Sequence, residues 1–99
     1  MKQLLIEVSF TLRGEKSSNR VLIYPAVGKY DFSRFGEVFD MFSFFIVKSI
    51  QNKEVTIVFD GVTRIVSTDN KATFSLMTTN TNGPDQITYG VKTVSFMLL

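Results

Sequence analysis

The stretch YDFSRFGEVFDMFSFFIVKSI, residues 30–50, holds six of the ten phenylalanines and changes its hydrophobic period midway. In its first half, apolar side chains recur at helical spacing and Val38 and Met41 widen the stripe, which predicts a short amphipathic helix. Asp31 or Ser33 is placed to cap its start. The phenylalanines of the stripe are Phe32, Phe35, Phe39 and Phe42.

The second half of the same stretch predicts a strand. Residues 44–47 are aromatic and β-branched, and they are followed by Lys48, Ser49 and Ile50. Such a run favours an extended conformation with both faces partly covered. We therefore expect the helix to lead directly into a central strand.

The N-terminal part of the chain predicts a hairpin. From residue 4 to residue 12 apolar and polar side chains alternate with period two, as in a strand with one buried face. Residues 20–24 form a second short strand that Pro25 ends, and the polar segment 14–19 is predicted to be the turn between them.

Asp60-Gly61 is the strongest hairpin signal in the sequence, because a type I′ turn needs positive φ at both central residues. A two-residue turn would pair Phe59 with Val62 and Ile57 with Arg64. Arg64 is then the single charge on an apolar face, which indicates either a snorkelling side chain or a face near an edge or a partner.

Two further strands complete the predicted fold. Ala72, Phe74 and Leu76 alternate with polar residues, residues 80–86 form a loop, and a last strand runs from residue 87 to residue 99 with a bulge or break at Gly90. About seven strands and one helix predict a single domain over residues 1–99, mainly β (α+β with one short helix). Its architecture is an antiparallel barrel or a two-sheet sandwich.

Composition argues against catalysis. The 99 residues contain no cysteine and no histidine, which removes disulfides, thiolate metal sites, the commonest metal ligand and the usual general base. No phosphate-binding, zinc-protease or EF-hand pattern is present. We therefore predict a non-enzymatic protein with no catalytic residues, no cofactor and no metal.

The sequence gives little information on compartment. The apolar run at residues 44–47 is far too short to span a membrane, and the N-terminus alternates where a signal peptide would be uniformly apolar. We expect a soluble intracellular or virion protein without a membrane span.

Self-association or docking on a protein partner is the predicted function. The outer faces of the predicted strands are rich in Ser and Thr with few charges to discourage edge pairing, and the chain is apolar to its last residue. The predicted contact residues, which pack against either the chain's own core or another subunit, are Phe96, Met97, Leu98, Leu99 and Met41.

Single-stranded nucleic acid is the alternative partner. A β surface with aromatic side chains and cations is what single-strand binders use, and the first hairpin carries such residues. The candidate contacts are Arg13, Lys16, Arg20 and Tyr24. The net charge of only +2 and the dominance of phenylalanine among the aromatics count against this alternative.

Residues 21–50 resemble the early part of the jelly-roll coat proteins of small viruses. In those proteins a strand ends near a proline, a short helix carries spaced phenylalanines, and an aromatic residue opens the next long strand. The positions that carry the resemblance are Pro25, Phe35, Phe39, Phe42, Phe44, Ile46 and Ile50. The resemblance implies a virus-encoded structural protein that self-associates, and it implies no catalysis.

Overall fold

The computed structural model describes residues 2–12, 15–81 and 87–99, and in this part of the chain eight strands form two antiparallel four-stranded sheets. Two short 3₁₀ helices, Phe32–Phe35 and Glu37–Met41, link the third and fourth strands. The strands are β1 (Leu4–Leu12), β2 (Glu15–Ile23), β3 (Gly28–Asp31), β4 (Phe44–Ile50), β5 (Val55–Phe59), β6 (Val62–Val66), β7 (Ala72–Thr81) and β8 (Ile87–Leu98).

The predicted fold class is confirmed as a mainly β, two-sheet sandwich. Sheet A has the strand order β2-β1-β8-β7, and sheet B has the order β3-β4-β5-β6. The strands of sheet A have 9 to 12 residues and those of sheet B have 4 to 7, so sheet A is the longer layer. The molecule is elongated accordingly, with extents of 52 × 22 × 21 Å.

Aromatic rings fill the space between the sheets. Phe45 on β4 is fully buried, and its ring centroid lies 5.0 Å from that of Phe96 on β8 and 5.2 Å from that of Phe32. Around these rings pack the inward residues of β1 and β5, where alternate positions are buried. Period-two burial in both layers identifies the core as the sandwich interior.

The segment predicted to be one amphipathic helix forms two 3₁₀ helices, but it buries the predicted phenylalanine face. Gly36, at φ 126° and ψ 170°, separates two 3₁₀ turns, and no side chain caps the first of them. Phe32, Phe39 and Phe42 are nevertheless buried, whereas Val38 is 43% exposed and does not extend the stripe. Short 3₁₀ pieces replace the helix because the chain has only twelve residues between two paired strands and must reverse onto sheet B.

Three other local predictions are corrected. Residues 15–19 were expected in a turn but belong to β2, because each pairs with a residue of β1. β3 is a further strand that was not among those predicted. The β7–β8 ladder continues through Gly90 without a shift, and the irregularity observed in sheet B lies between Val47 and Ser49. Arg13, Gly14 of the predicted turn, and residues 82–86 of the predicted loop lie outside the described residues.

The Asp60-Gly61 hairpin is confirmed with its register. Phe59 pairs with Val62 and Ile57 pairs with Arg64, and the turn residues have positive φ of 51° and 74°. Arg64 is an exposed residue, and its guanidinium carbon lies 5.9 Å from the ring centroid of Phe74, within the range of a cation–π contact.

Candidate protein-interaction surface

An apolar row crosses the outer face of sheet A. Leu22 on β2 pairs with Leu5 on β1, which pairs with Met97 on β8, so the three side chains stand side by side across three strands. Leu99, held by a hydrogen bond from its N–H to the Gln3 carbonyl at 3.0 Å, lies beside this row. We call Leu5, Leu22, Met97 and Leu99 the sheet A patch.

The sheet A patch is open to solvent at its β2 end. Leu22 is 46% exposed and Leu99 is 50% exposed. Together with Arg20 and Val21, the patch lines an open groove of about 450 Å³. Large apolar side chains grouped on a surface are typical of contact sites.

Strand β2 is the free edge beside this patch. It is the first strand of sheet A, and within the described residues only β1 pairs with it. Seven of its nine residues are exposed, and most of them are small or polar. The backbone of an edge strand presents unpaired N–H and C=O groups, which are a template for a further strand.

Away from the patch, the outer face of sheet A is lined by hydroxyl groups. Ser9 pairs with Thr93, which pairs with Ser75, and the hydroxyl oxygens of Ser75 and Thr93 lie 3.3 Å apart. Glu7 and Arg20 form a cross-strand ion pair at 3.8 Å. The polar ladder makes the apolar row stand out as a distinct feature of this face.

The residues predicted for self-association lie in three different places. Phe96 and Leu98 face inward and are buried in the chain's own core, so they do not reach the surface of the subunit. Met97 and Leu99 face outward in the sheet A patch. Met41 is half-buried and lies at the other end of the sandwich, away from that patch.

The sequence analysis missed Leu5 and Leu22. Both interrupt the alternation of their strands: Leu5 stands between Leu4 and Ile6, and Leu22 stands between Val21 and Ile23. An apolar residue at a position that should be polar is the signal that identifies them. Their pairing with each other required the register of the β1–β2 hairpin.

The predicted nucleic-acid contacts are partly brought together. Lys16 and Arg20 share the outward face of β2, and Tyr24 follows the strand with 67% of its surface exposed. The charge of Arg20 is shared with Glu7 through their ion pair. Arg13 lies outside the described residues.

A second concave site lies at the end of the sandwich where the chain enters β4. It is a groove of about 570 Å³ between the segment 41–44, the β5–β6 turn and the inner face of sheet A. Apolar side chains dominate its lining, and Lys92 on β8 contributes its ammonium group. Among the residues that line this groove are Phe44, Ile46, Val58, Asp60, Leu76 and Lys92.

Neither a metal centre nor a membrane helix is found in the part of the chain that the structure describes. No three acidic side chains there are grouped so as to hold a metal ion, and no helix there is both long and apolar enough to cross a bilayer. Comparison with protein-family models, with curated proteins and with solved structures finds no match to this chain.

Proposed function

We propose that this chain is a non-enzymatic interaction protein that self-associates through the β2 edge of sheet A. The observation that supports the proposal is the apolar row Met97–Leu5–Leu22, which runs across the outer face and ends at a free edge strand. Because the row stops at an edge strand, pairing with the same strand of a second copy would extend it and bury its exposed apolar side chains.

The side chains of β2 favour one way of pairing two copies. In a two-fold antiparallel pair the residue at the axis faces itself, and residues equally far on either side face each other. Centring the axis on Arg20 would place two guanidinium groups opposite each other, and centring it on Ser18 would place Lys16 opposite Arg20. Like charges in directly opposed positions are destabilising, so both registers are disfavoured.

Centring the axis on Leu22 avoids these clashes. Leu22 then faces Leu22 of the second copy on the outer face, and Val21 faces Ile23 on the inner face. The apolar row becomes continuous across an eight-stranded sheet, because Leu5 and Met97 of each copy extend it on either side. Backbone pairing and apolar burial act together in this register.

Disulfide trapping at the proposed axis tests this arrangement. The protein has no native cysteine, so Leu22→Cys introduces a single thiol into a clean background. We expect Leu22→Cys to form a covalent dimer under mild oxidation, because opposed strand residues lie about 5 Å apart, within reach of a disulfide. Thr73→Cys, on the same face of sheet A but on the opposite edge strand, is the matched control and should remain monomeric in denaturing electrophoresis.

A charge at the axis gives an independent test in solution. Leu22→Glu places two carboxylates against each other and should shift the native mass, measured by sedimentation, from dimer to monomer at the same concentration. Thr73→Glu should leave the mass unchanged. A wild-type protein that sediments as a monomer up to millimolar concentration would contradict the proposal, as would dissociation caused by Thr73→Glu alone.

Single-stranded nucleic acid is the second candidate partner, and one observation favours it: Lys16, Arg20 and the exposed Tyr24 share the β2 side of sheet A. Titration with a short single-stranded oligonucleotide at two salt concentrations distinguishes the candidates. Binding that weakens steeply with salt and is lost in Lys16→Ala would favour nucleic acid. A dimer that does not respond to the oligonucleotide would favour self-association.

The resemblance to jelly-roll coat proteins stays a prediction and does not bear on whether the partner is nucleic acid or a second copy.

A further inference from the structure

The groove at the β4 end of the sandwich is large enough for a small organic molecule. Its volume of about 570 Å³ lies within the range of ligand pockets in proteins, roughly 300–1,000 Å³. It forms because the crossing segment 41–44 and the β5–β6 turn leave the space above the inner face of sheet A incompletely filled. Leu76 and Lys92 from sheet A line it on that side.

The side chains of sheet B give this groove an apolar wall. Phe44 is 41% exposed, and Ile46 and Val58 beside it are only partly buried. Ile46 pairs with Val58, so the two side chains stand next to each other on the outer face of sheet B, and the groove continues past the end of this sheet to Leu76 and Lys92 on the inner face of sheet A. An exposed aromatic ring next to two aliphatic side chains is suited to an alkyl chain, because burial of each methylene group removes apolar surface from water.

Lys92 supplies the charge that makes the groove selective. It occupies an inward position of β8, in the row Phe10–Lys92–Leu76, where the other members are apolar. Its Nζ donates a hydrogen bond to the Met41 carbonyl at 2.8 Å and lies 5.3 Å from the ring centroid of Phe42. A partly buried ammonium has three donor hydrogens, and this contact uses one of them.

No carboxylate neutralises Lys92 within the described residues. The ion pairs found there are Arg20–Glu7 and Lys29–Asp31, both on outward-facing positions. Asp60 also lines the groove, but it is an exposed residue of the hairpin turn and its charge is screened by water. Glu37 lines an adjoining groove together with Lys92, but it too is exposed, so the half-buried cation is the stronger electrostatic feature of the site.

We propose that this groove binds a single-chain amphiphile with a carboxylate head, of the fatty-acid type. The alkyl chain lies along Phe44, Ile46 and Val58, and the carboxylate accepts a charge-assisted hydrogen bond from the Lys92 ammonium. The site is separate from the sheet A patch, so the proposal does not rest on self-association.

Decanoate, kept below its micelle concentration, is the probe, and decanol is its uncharged control. Binding is followed by NMR through the amide of Gly61 and the methyl group of Met41, which both line the groove, with the methyl group of Met97 as a reference outside it. We expect decanoate to shift the groove signals and to bind about tenfold or more tightly than decanol, as a hydrogen bond between charged groups predicts. Equal affinity for the two compounds, or no shift with either, would overturn the proposal.

Variants separate binding from a purely structural role of Lys92. Lys92→Met keeps the length and apolar stem of the side chain and should lower decanoate affinity to that of decanol, whereas Lys92→Arg should retain the preference. Lys53→Met, at an exposed turn that does not line the groove, is the control for net charge. Thermal unfolding of each variant shows that the fold is intact. Unchanged decanoate binding in folded Lys92→Met would overturn the assignment.

Asp60→Asn removes a carboxylate from the groove, so it tests whether decanoate binding becomes tighter. Asparagine tolerates the positive φ of 51° at this turn position, so the hairpin is retained. Removing the carboxylate should tighten decanoate binding by about twofold and leave decanol binding unchanged, because only the charged head is repelled. Weaker decanoate binding in this variant would contradict the proposed position of the head group.

Discussion

The phenylalanine cluster between the sheets and the edge strand β2 show two opposite uses of a β-strand. In the cluster, rings from both sheets and from the 3₁₀ segment contact one another at centroid distances of 5.0 to 6.5 Å, and Phe32, Phe45 and Phe96 are fully buried. On β2 seven of nine residues are exposed, and the side chains are mostly small or polar. On β1 and β8 the core residues and the residues available for contacts lie on opposite faces of the same strand, whereas β2 is exposed along most of its length.

Phe45→Ala should have the largest effect on stability. Its ring is fully buried and lies within 5.2 Å of the ring centroids of Tyr30, Phe32 and Phe96, so its removal leaves a cavity shared by both sheets. We expect the free energy of unfolding to fall by about 3–5 kcal/mol in urea denaturation. Phe44→Ala, one residue earlier and 41% exposed, should cost less than about 1 kcal/mol. If both variants lowered the free energy of unfolding by a similar amount, buried and exposed positions along β4 would not differ in their contribution to stability.

Gly36→Ala tests whether backbone conformation divides the phenylalanine segment. Gly36 has φ 126° and ψ 170°, and a Cβ added there meets no atom within 4 Å, so any cost comes from the backbone alone. We expect a loss of about 1–3 kcal/mol in the same denaturation assay. Ser33→Ala, at an exposed neighbouring position, should be close to neutral. A neutral Gly36→Ala would show that the segment relaxes into a continuous helix.

Leu22→Glu should have little effect on the stability of the isolated subunit, in contrast to its expected effect on dimerisation. Its side chain is 46% exposed and lies outside the core cluster. At a concentration where wild-type protein is monomeric, we expect the free energy of unfolding to change by about 0.5 kcal/mol or less. A much larger loss would mean that the sheet A patch stabilises the fold and is not reserved for contacts.

The Glu7–Arg20 ion pair should contribute least. The two groups are 3.8 Å apart, and the Arg20 side chain is 71% exposed. A double-mutant cycle with Glu7→Gln and Arg20→Gln should give a coupling of about 0.5 kcal/mol or less, which high salt removes. A large coupling free energy that high salt does not reduce would contradict this expectation. It would show that the Arg20 side chain is held in a fixed position on β2 despite its exposure.

Local pattern was sufficient for much of the fold. Alternation in residues 4–12 and the Asp60-Gly61 turn predicted β1 and the β5–β6 register, because a strand's buried face and a tight turn depend on neighbouring residues only. The helix at residues 32–41 was predicted in the wrong form. Phenylalanine spacing reports which side chains are buried, but it does not separate one α-helix from two 3₁₀ turns with the same inward face.

Residue types and their spacing were enough to predict that this protein is mainly β, that most of its phenylalanines lie in the core, and that histidine and cysteine chemistry is absent. Strand order, which depends on contacts between distant segments, sets which strands are edges and which residues meet across them. Leu5, Leu22 and Met97 are distant in sequence and become one row only when β1 pairs with β2 on one side and with β8 on the other. The position of Lys92 in an apolar groove likewise depends on the packing of one sheet over the other, which no local pattern encodes.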